Sequence, residues 1–343
     1  MVIQIKNNQK NCHNFPTRRA LVMSVKLIKL KRRTVMLEKI KSHSLCSVLS
    51  VVIFIGTIVF QMAVNGVFAA ESSATNKQFV SQVSGSGKPV ILIPGLMSDG
   101  RVWDKLISSL AKTYQVHTIN IAGFARTPAI DNPSLSTLKQ QLFAYITKHK
   151  LHKPAVIGHS LGGFMGFWLA SNTPTAVGPI ISVDGLPFVG PVFTRSNSTT
   201  VEDLAAQAEQ IKNMYSNMSQ QQLVDQSRYG LSIQASSDEA KAKVMSMVQT
   251  SEPKTVGQAI YTLMKHDLRQ DIANITSPVL LLGASGGFST DEQKTAMQIL
   301  YKQQLQALPS ASLQMNTHAR HFIMLDDPKW FEKQVLTFLG KHL

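Results

Sequence analysis

Apolar residues in this chain follow two rhythms. The first consists of short strand-like runs closed by glycine, proline or a polar residue: "KPVILIPG", which is continuously apolar, then "YQVHTINIAG", "KPAVIGHS" and "GPIISVDG". Runs without a polar face fit strands buried on both sides of a parallel sheet. Between them, spacings of three and four predict helices. One covers Arg101 to Lys112, and a second is "SLSTLKQQLFAYITKHK", with Ser134 or Ser136 as its cap. The third, "LGGFMGFWLASNTP", is apolar all round and therefore largely buried. Ahead of these, residues 71–87 (ESSATNKQFVSQVSGSG) open as a polar linker and end in a short alternating strand.

The rhythm changes over residues 187–276. Strand runs stop, and Gln-, Met- and Ser-rich segments with helical spacing take over: "TVEDLAAQAEQIKNMYSNM", "SSDEAKAKVMSMVQT" and "TVGQAIYTLMKH". Strands resume at "SPVLLLGAS", followed by a helix near Asp291–Ala307 and a last strand, "ASLQMNTHA". The closing helix, "DDPKWFEKQVLTFLGKHL", has Asp327 as N-cap and Pro328 at its first position. Strands alternating with helices predict an α/β fold, a mostly parallel central sheet flanked by helices. A helical block of about 90 residues between two strands predicts an inserted lid. The expected organisation is a core in two parts, 71–186 and 277–343, with the helical lid at 187–276 and a leader at 1–70.

The leader is a targeting segment by pattern. Leu45 to Val64 (LCSVLSVVIFIGTIVFQMAV) is apolar and follows basic residues, and Val67-Phe68-Ala69 fits a small-residue cleavage site. Cleavage near Ala69/Ala70 predicts a periplasmic or secreted protein. The alternative is an anchor through 45–64 in the inner membrane, since the run is long enough to span a bilayer. Met36 also starts a conventional signal, so Met1 and Met36 are both candidate starts. Cys12 and Cys46 both lie in the leader, so the expected mature chain has no disulfide or thiol chemistry.

Charge changes this picture little. The 343 residues carry a formal +15, but 1–70 holds 11 of the 35 Lys and Arg and only Glu38 of the 20 acidic residues. The remaining 24 basic and 19 acidic residues leave +5 on 71–343. That is a solvated surface rather than a nucleic-acid footprint. Membrane contact is expected only through the N-terminal segment, if uncleaved. Neither a Gly-rich phosphate loop nor a His/Glu metal cluster is apparent, and no cofactor or metal is expected.

The candidate chemistry centres on "AVIGHSLGG". Gly-x-Ser-x-Gly between a buried strand and a helix is the setting of a nucleophile elbow, which would expose Ser160 at the carboxyl edge of the sheet. A serine hydroxyl needs a base. His13 and His43 are in the leader, and His117 sits in a strand pattern where it would pack. His149, His152, His266 and His342 belong to polar helical segments and are expected to be solvated. His159 adjoins Ser160 and should point away from the hydroxyl. His321, in "NTHARHFIMLDDP", falls where the last strand gives way to a loop on the same sheet edge; His318 is the alternative. For the acid that holds the imidazole, Asp184 at the end of "IISVDG" is favoured and Asp291 is the alternative. The anionic intermediate needs two amides. Leu161, after the nucleophile, and Leu96, after Pro94-Gly95 in "LIPGLMSDG", are the candidates, with Met97 second to Leu96.

These segments together ("LIPGLMSDGRVWDKL", "GHSLGG", "VDGLPF" and "ARHFIMLDDPKWF") resemble the α/β-hydrolase superfamily, the lidded branch with many esterases, over about residues 78–343. Three departures stand out. The oxyanion loop has Pro94-Gly95 where many relatives have His-Gly. "NIAGFARTP" lacks the usual acidic and Gly-x-Gly-x-Ser features. No acid follows the strand Pro278–Gly283 directly.

The resemblance implies acyl-enzyme hydrolysis of small or medium carboxylic esters or lactones, with an ester-type small molecule as substrate. An amidase, peptidase or thioesterase would use the same triad, and a binding protein of the same fold would use none of it. The methionines of 187–276 (Met214, Met218, Met245, Met247, Met264), with Tyr215, Tyr229 and Tyr261, have two readings: an adaptable pocket lining or the lid's own core.

Overall fold

The computed structural model describes residues 76–343. The expected leader at 1–70, with its apolar run, cleavage site and both cysteines, lies outside the described residues.

Seven strands form one sheet: β1 (Phe79–Ser84), β2 (Lys88–Ile93), β3 (Tyr114–Ile121), β4 (Ala155–His159), β5 (Ile180–Val183), β6 (Val279–Ala284) and β7 (Ser312–Asn316). Their order is β1-β3-β2-β4-β5-β6-β7. β1 runs antiparallel to β3 and every other pairing is parallel. The sequence explains which strand goes where. β4, β5 and β6 are buried at every residue, as their unbroken apolar runs require. β1 alternates and occupies an edge, leaving Val80 and Val83 exposed. The chain moves outward from β2 to β3, then returns past β2 to β4. Loops leaving β2 and β4 therefore diverge, and the crevice between them is where an open α/β sheet binds its ligand.

Three helices fill the first crossovers: α1 (Asp104–Leu110), α2 (Leu135–Lys148) and α3 (Leu161–Asn172). The helix expected from Arg101 begins instead as a 3-10 turn, Gly100–Trp103, because the Asp99 side chain accepts from the Arg101 amide and caps it. Ser134 caps α2 through the Thr137 amide. α3 is buried almost all round, as its apolar sequence predicts.

Between β5 and β6 lie α4 (Gly190–Thr194), α5 (Val201–Ser216), α6 (Gln220–Gln234), α7 (Asp238–Val248) and α8 (Pro253–Lys265). α6 is the one long helix in this block that periodicity did not single out. It buries only Leu223 and Val224 and is started by a capping box between Ser219 and Gln222. α5 packs along α8, and Phe188, Leu204, Ala208 and Met264 form a small core of their own. Met245, Met247 and Met264 are all buried, which favours packing over a pocket lining, whereas Met214 and Tyr229 are exposed.

α9 (Asp291–Gln304), α10 (Ile323–Asp326) and α11 (Pro328–His342) complete the chain. Asp327 caps α11 through the Trp330 amide, with Pro328 at its first position. Phe331 of α11 stacks on Trp103 at 6.0 Å between ring centroids. Both rings are fully buried, and burial of such a ring is worth about 1.5–3 kcal/mol. This contact ties the C-terminal helix to the segment that follows β2.

Candidate active site

β4 runs into Gly158-His159-Ser160, and α3 begins at Leu161. Ser160 has φ 52° and ψ −114°, a backbone state costly for any L-residue that persists only where its surroundings enforce it. Close packing enforces it here. A Cβ on Gly158 would lie 2.0 Å from the Gly162 carbonyl oxygen, and one on Gly162 would lie 2.1 Å from the Ile93 carbonyl oxygen. Only glycine lets strand and helix approach that closely. The Ser160 amide donates to the Val183 carbonyl at 2.9 Å, binding the elbow to the end of β5.

Met97 (φ 54°), after β2, and Asp184 (φ 52°), directly after β5, also have positive φ. The Asp184 turn is fixed by its amide donating to the Leu282 carbonyl at 2.7 Å and by the Ser182 hydroxyl donating to the Gly185 carbonyl at 2.7 Å. The carboxylate accepts three hydrogen bonds. Oδ2 takes the His321 Nδ1 at 2.6 Å, and Oδ1 takes the Ala284 amide at 2.8 Å and the Tyr301 hydroxyl at 2.7 Å. Asp184 has 8% of its side chain exposed and His321 has 25%, so the carboxylate is the more deeply buried of the two.

His321 sits between β7 and α10, on the rim that carries Ser160 and Asp184. Its loop is held from both sides. Asn316 Oδ1 accepts from the His318 and Ala319 amides at 2.9 and 2.7 Å. The Phe322 amide donates to the Gln234 carbonyl at 3.0 Å, and Arg320 Nη1 donates to the Ser232 and Ala235 carbonyls at 2.5 and 3.0 Å. The histidine loop is thus fastened to the C-terminal end of α6.

His159 is more than the spacer the motif allows. Its imidazole is buried, with Nε2 3.1 Å from the His321 carbonyl oxygen and its ring centroid 4.6 Å from that of His321. Burial, and secondarily the neighbouring His321, hold its pKa well below the usual histidine value, so it is a neutral donor to that carbonyl. A Cβ on Gly95 would lie 2.6 Å from His159 Nδ1 and 3.2 Å from the Ser160 Cβ. The loop after β2 therefore lies directly against the elbow, which brings the Leu96 segment beside Ser160. Leu161 is the first residue of α3, and its amide has no carbonyl one turn earlier to engage.

The other candidates lie elsewhere. Asp291 is exposed at the start of α9, behind the Thr290 cap. His318 is exposed. His117 is buried in β3 and bonded to the Tyr145 hydroxyl at 2.8 Å and Gln115 at 3.0 Å. His266, expected to be solvated, is half-buried against the Trp168 ring at 4.7 Å, because the end of α8 lies against α3. Sequence reasoning missed Tyr301 and Arg320. The only signal for Tyr301 was Gly283, a glycine inside an otherwise apolar strand, which marks a close approach.

A hydroxyl on a strained elbow and, on the same rim, an imidazole bonded to a buried carboxylate form a set suited to acyl transfer. A family model for the alpha/beta hydrolase fold matches residues 88–328. The pimeloyl-[acyl-carrier protein] methyl ester esterase of Vibrio vulnificus (strain YJ016) is 25% identical over 263 residues, covering 76% of this chain and 97% of that protein. The protein of the same name from Nitrosomonas europaea is 25% identical over 267 residues, covering 73% and 95%. Among solved structures, the enol-lactonase from Burkholderia xenovorans LB400 superposes with a TM-score of 0.62 at 16% identity, covering 76% of this chain and 96% of that one. The esterase from Thermogutta terrifontis gives 0.61 at 16%, covering 77% and 93%. The chain belongs to the alpha/beta hydrolase fold family.

Proposed function

We propose that this protein hydrolyses carboxylic esters through an acyl-enzyme, with Ser160 as nucleophile, His321 as base and then acid, and Asp184 as the group that orients the imidazole. The observation that carries the reading is the 2.6 Å contact between His321 Nδ1 and Asp184 Oδ2, on the rim where Ser160 is held in a strained turn. With Nδ1–H given to the carboxylate, Nε2 is left with the lone pair that can take the serine proton. Ser160 Oγ then attacks the ester carbonyl, and the Leu96 and Leu161 amides receive the developing oxyanion. The His321 imidazolium returns the proton to the leaving alcohol. Water, activated by the same imidazole, releases the acid and frees Ser160. The curated relatives are named for methyl ester hydrolysis, which favours an ester over an amide or thioester as the bond cleaved here. The helices between β5 and β6 would serve as the lid over this rim.

The test is a panel of p-nitrophenyl esters, acyl thioesters and aminoacyl anilides, with fluorophosphonate labelling of the native protein. Turnover of short and medium esters is expected, with labelling abolished in Ser160→Ala. A native protein that neither labels nor turns over any ester would favour a non-catalytic binding protein of the same fold.

Export before catalysis is part of the proposal. The basic segment, apolar run and Val67-Phe68-Ala69 pattern support cleavage near Ala69. N-terminal sequencing of the protein from fractionated cells tests it: a first residue near Ala70 in the soluble exported fraction is expected, and full-length protein in the membrane fraction would mean an anchor.

A further inference from the structure

The Asp184 carboxylate has a partner that the triad does not account for. The Tyr301 hydroxyl, from the last turn of α9, reaches Oδ1 at 2.7 Å across 117 residues of sequence. We propose that Tyr301 is a positioning residue of the catalytic apparatus, its buried hydroxyl fixing the plane of the Asp184 carboxylate so that Oδ2 faces His321. The proposal rests on the triad reading above and extends it to a residue outside the motif.

The argument starts from where the acid originates. Asp184 leaves the end of β5, while the histidine arrives from the end of β7, and β6 lies between them. The carboxylate must therefore reach across the end of β6. A carboxylate on a short side chain can rotate about its last bond, and one contact to an imidazole does not stop it. The Ala284 amide, at the end of β6, supplies one stop on Oδ1. Tyr301 supplies the second, from a different direction. Together they occupy Oδ1 and leave Oδ2 for the imidazole.

The surroundings are arranged for this hydroxyl. A Cβ on residue 283 would lie 2.5 and 2.6 Å from two atoms of the Tyr301 ring, so the ring can pass only over a glycine. Gly283 stands in β6, one residue before Ala284. The phenol is fully buried; burial first, and then the charge and hydrogen bond of Asp184, push its pKa well above the usual tyrosine value. It therefore faces Asp184 as a neutral donor around neutral pH. A residue needed only to fill this space would require the ring and not the oxygen.

Tyr301→Phe separates the two roles, because it keeps the ring. With a p-nitrophenyl ester, kcat is expected to fall about tenfold with KM within about twofold, the scale set by losing one hydrogen bond to a charged group. In the Asp184→Asn background, the same substitution is expected to add nothing to the loss, read as the rate of phosphonylation of Ser160 by a fluorophosphonate. A Tyr301→Phe enzyme with native kcat would overturn the proposal. So would an equal penalty in the Asp184→Asn background, because that factor would come from packing. Failure of the triad reading has its own signature: full activity in Asp184→Asn alone.

Discussion

Asp184 Oδ2 lies 2.6 Å from His321 Nδ1, and the carboxylate crosses the end of β6 to get there, accepting the Ala284 amide on the way. The loop after β6, "ASGGFST", holds no carboxylate, and Asp291 beyond it is spent as the first residue of a helix.

The two acids are therefore expected to separate cleanly. Asp184→Asn can face the imidazole with an amide N–H instead of a carboxylate oxygen, so the tautomer is no longer fixed, a change worth about 10⁴ in kcat where such triads operate. Asp291→Asn is expected to leave kcat within about twofold and to cost at most a few tenths of a kcal/mol of helix-terminus stabilisation. Steady-state kinetics on one ester, with thermal melts of both variants, make the comparison. A large loss in Asp291→Asn with none in Asp184→Asn would reassign the acid.

Stability should depend on pH through His159. In the folded protein burial keeps this imidazole neutral, while in the unfolded chain it takes a proton below about pH 6.5. The unfolded state then binds more protons, so its contribution to stability is whole above about pH 6.5 and is lost progressively as pH falls, by at most about 1.4 kcal/mol per pH unit. His117, whose pKa is lowered chiefly by burial, acts in the same direction. Urea unfolding at about pH 5 and about pH 7.5 is expected to show a smaller difference in His159→Gln than in the native protein. An unchanged difference would mean that His159 is protonated in the fold or reached by water.

Much of this site was legible because its parts sit at boundaries that sequence marks well. A buried-strand run ending in Gly-His-Ser-Leu-Gly fixes both the elbow and its place on the rim. A histidine just beyond the last strand and just before a capped helix can hardly lie anywhere else. Asp184 was readable for the same reason, as the last polar residue of a strand run. Tyr301 was not. Helical spacing says which residues share a face, and nothing in it shows that one of them reaches a carboxylate 117 positions away. His159 was read by its neighbour rather than by its environment, since only the fold brings the His321 carbonyl to it. The helix Gln220–Gln234 escaped because it buries one adjacent apolar pair instead of a stripe.

The methionines of the helical insertion give a prediction that distinguishes packing from recognition. Met247 is fully buried in the main core and Met264 in the insertion's own cluster. Met247→Ala is expected to cost about 2–5 kcal/mol of stability, the range for removing a buried methionine side chain. KM values across an acyl-chain series should keep their native order. A stable variant with an altered chain-length preference would instead make Met247 part of the acyl pocket.

Arg320 tests whether the histidine loop depends on the insertion. Its guanidinium donates to the Ser232 and Ala235 carbonyls, at the end of α6 where carbonyls lack helical partners and the dipole favours a cation. Asp326 ties the same two segments together, accepting from the Ser236 and Arg320 amides at 2.9 Å each. Arg320→Ala leaves two carbonyls without this donor and frees the segment next to His321. Activity is expected to fall about tenfold, as for other losses of charged hydrogen bonds, with faster hydrogen exchange at residues 232–236 and in the 317–322 loop together. Lysine is a point charge on a flexible stem and cannot hold both carbonyls with a planar fork. Arg320→Lys should therefore recover only part of the rate. Native activity in Arg320→Ala, with exchange raised in α6 alone, would mean that His321 keeps its place through Asn316, Asp184 and the remaining Phe322 and Asp326 contacts, without Arg320.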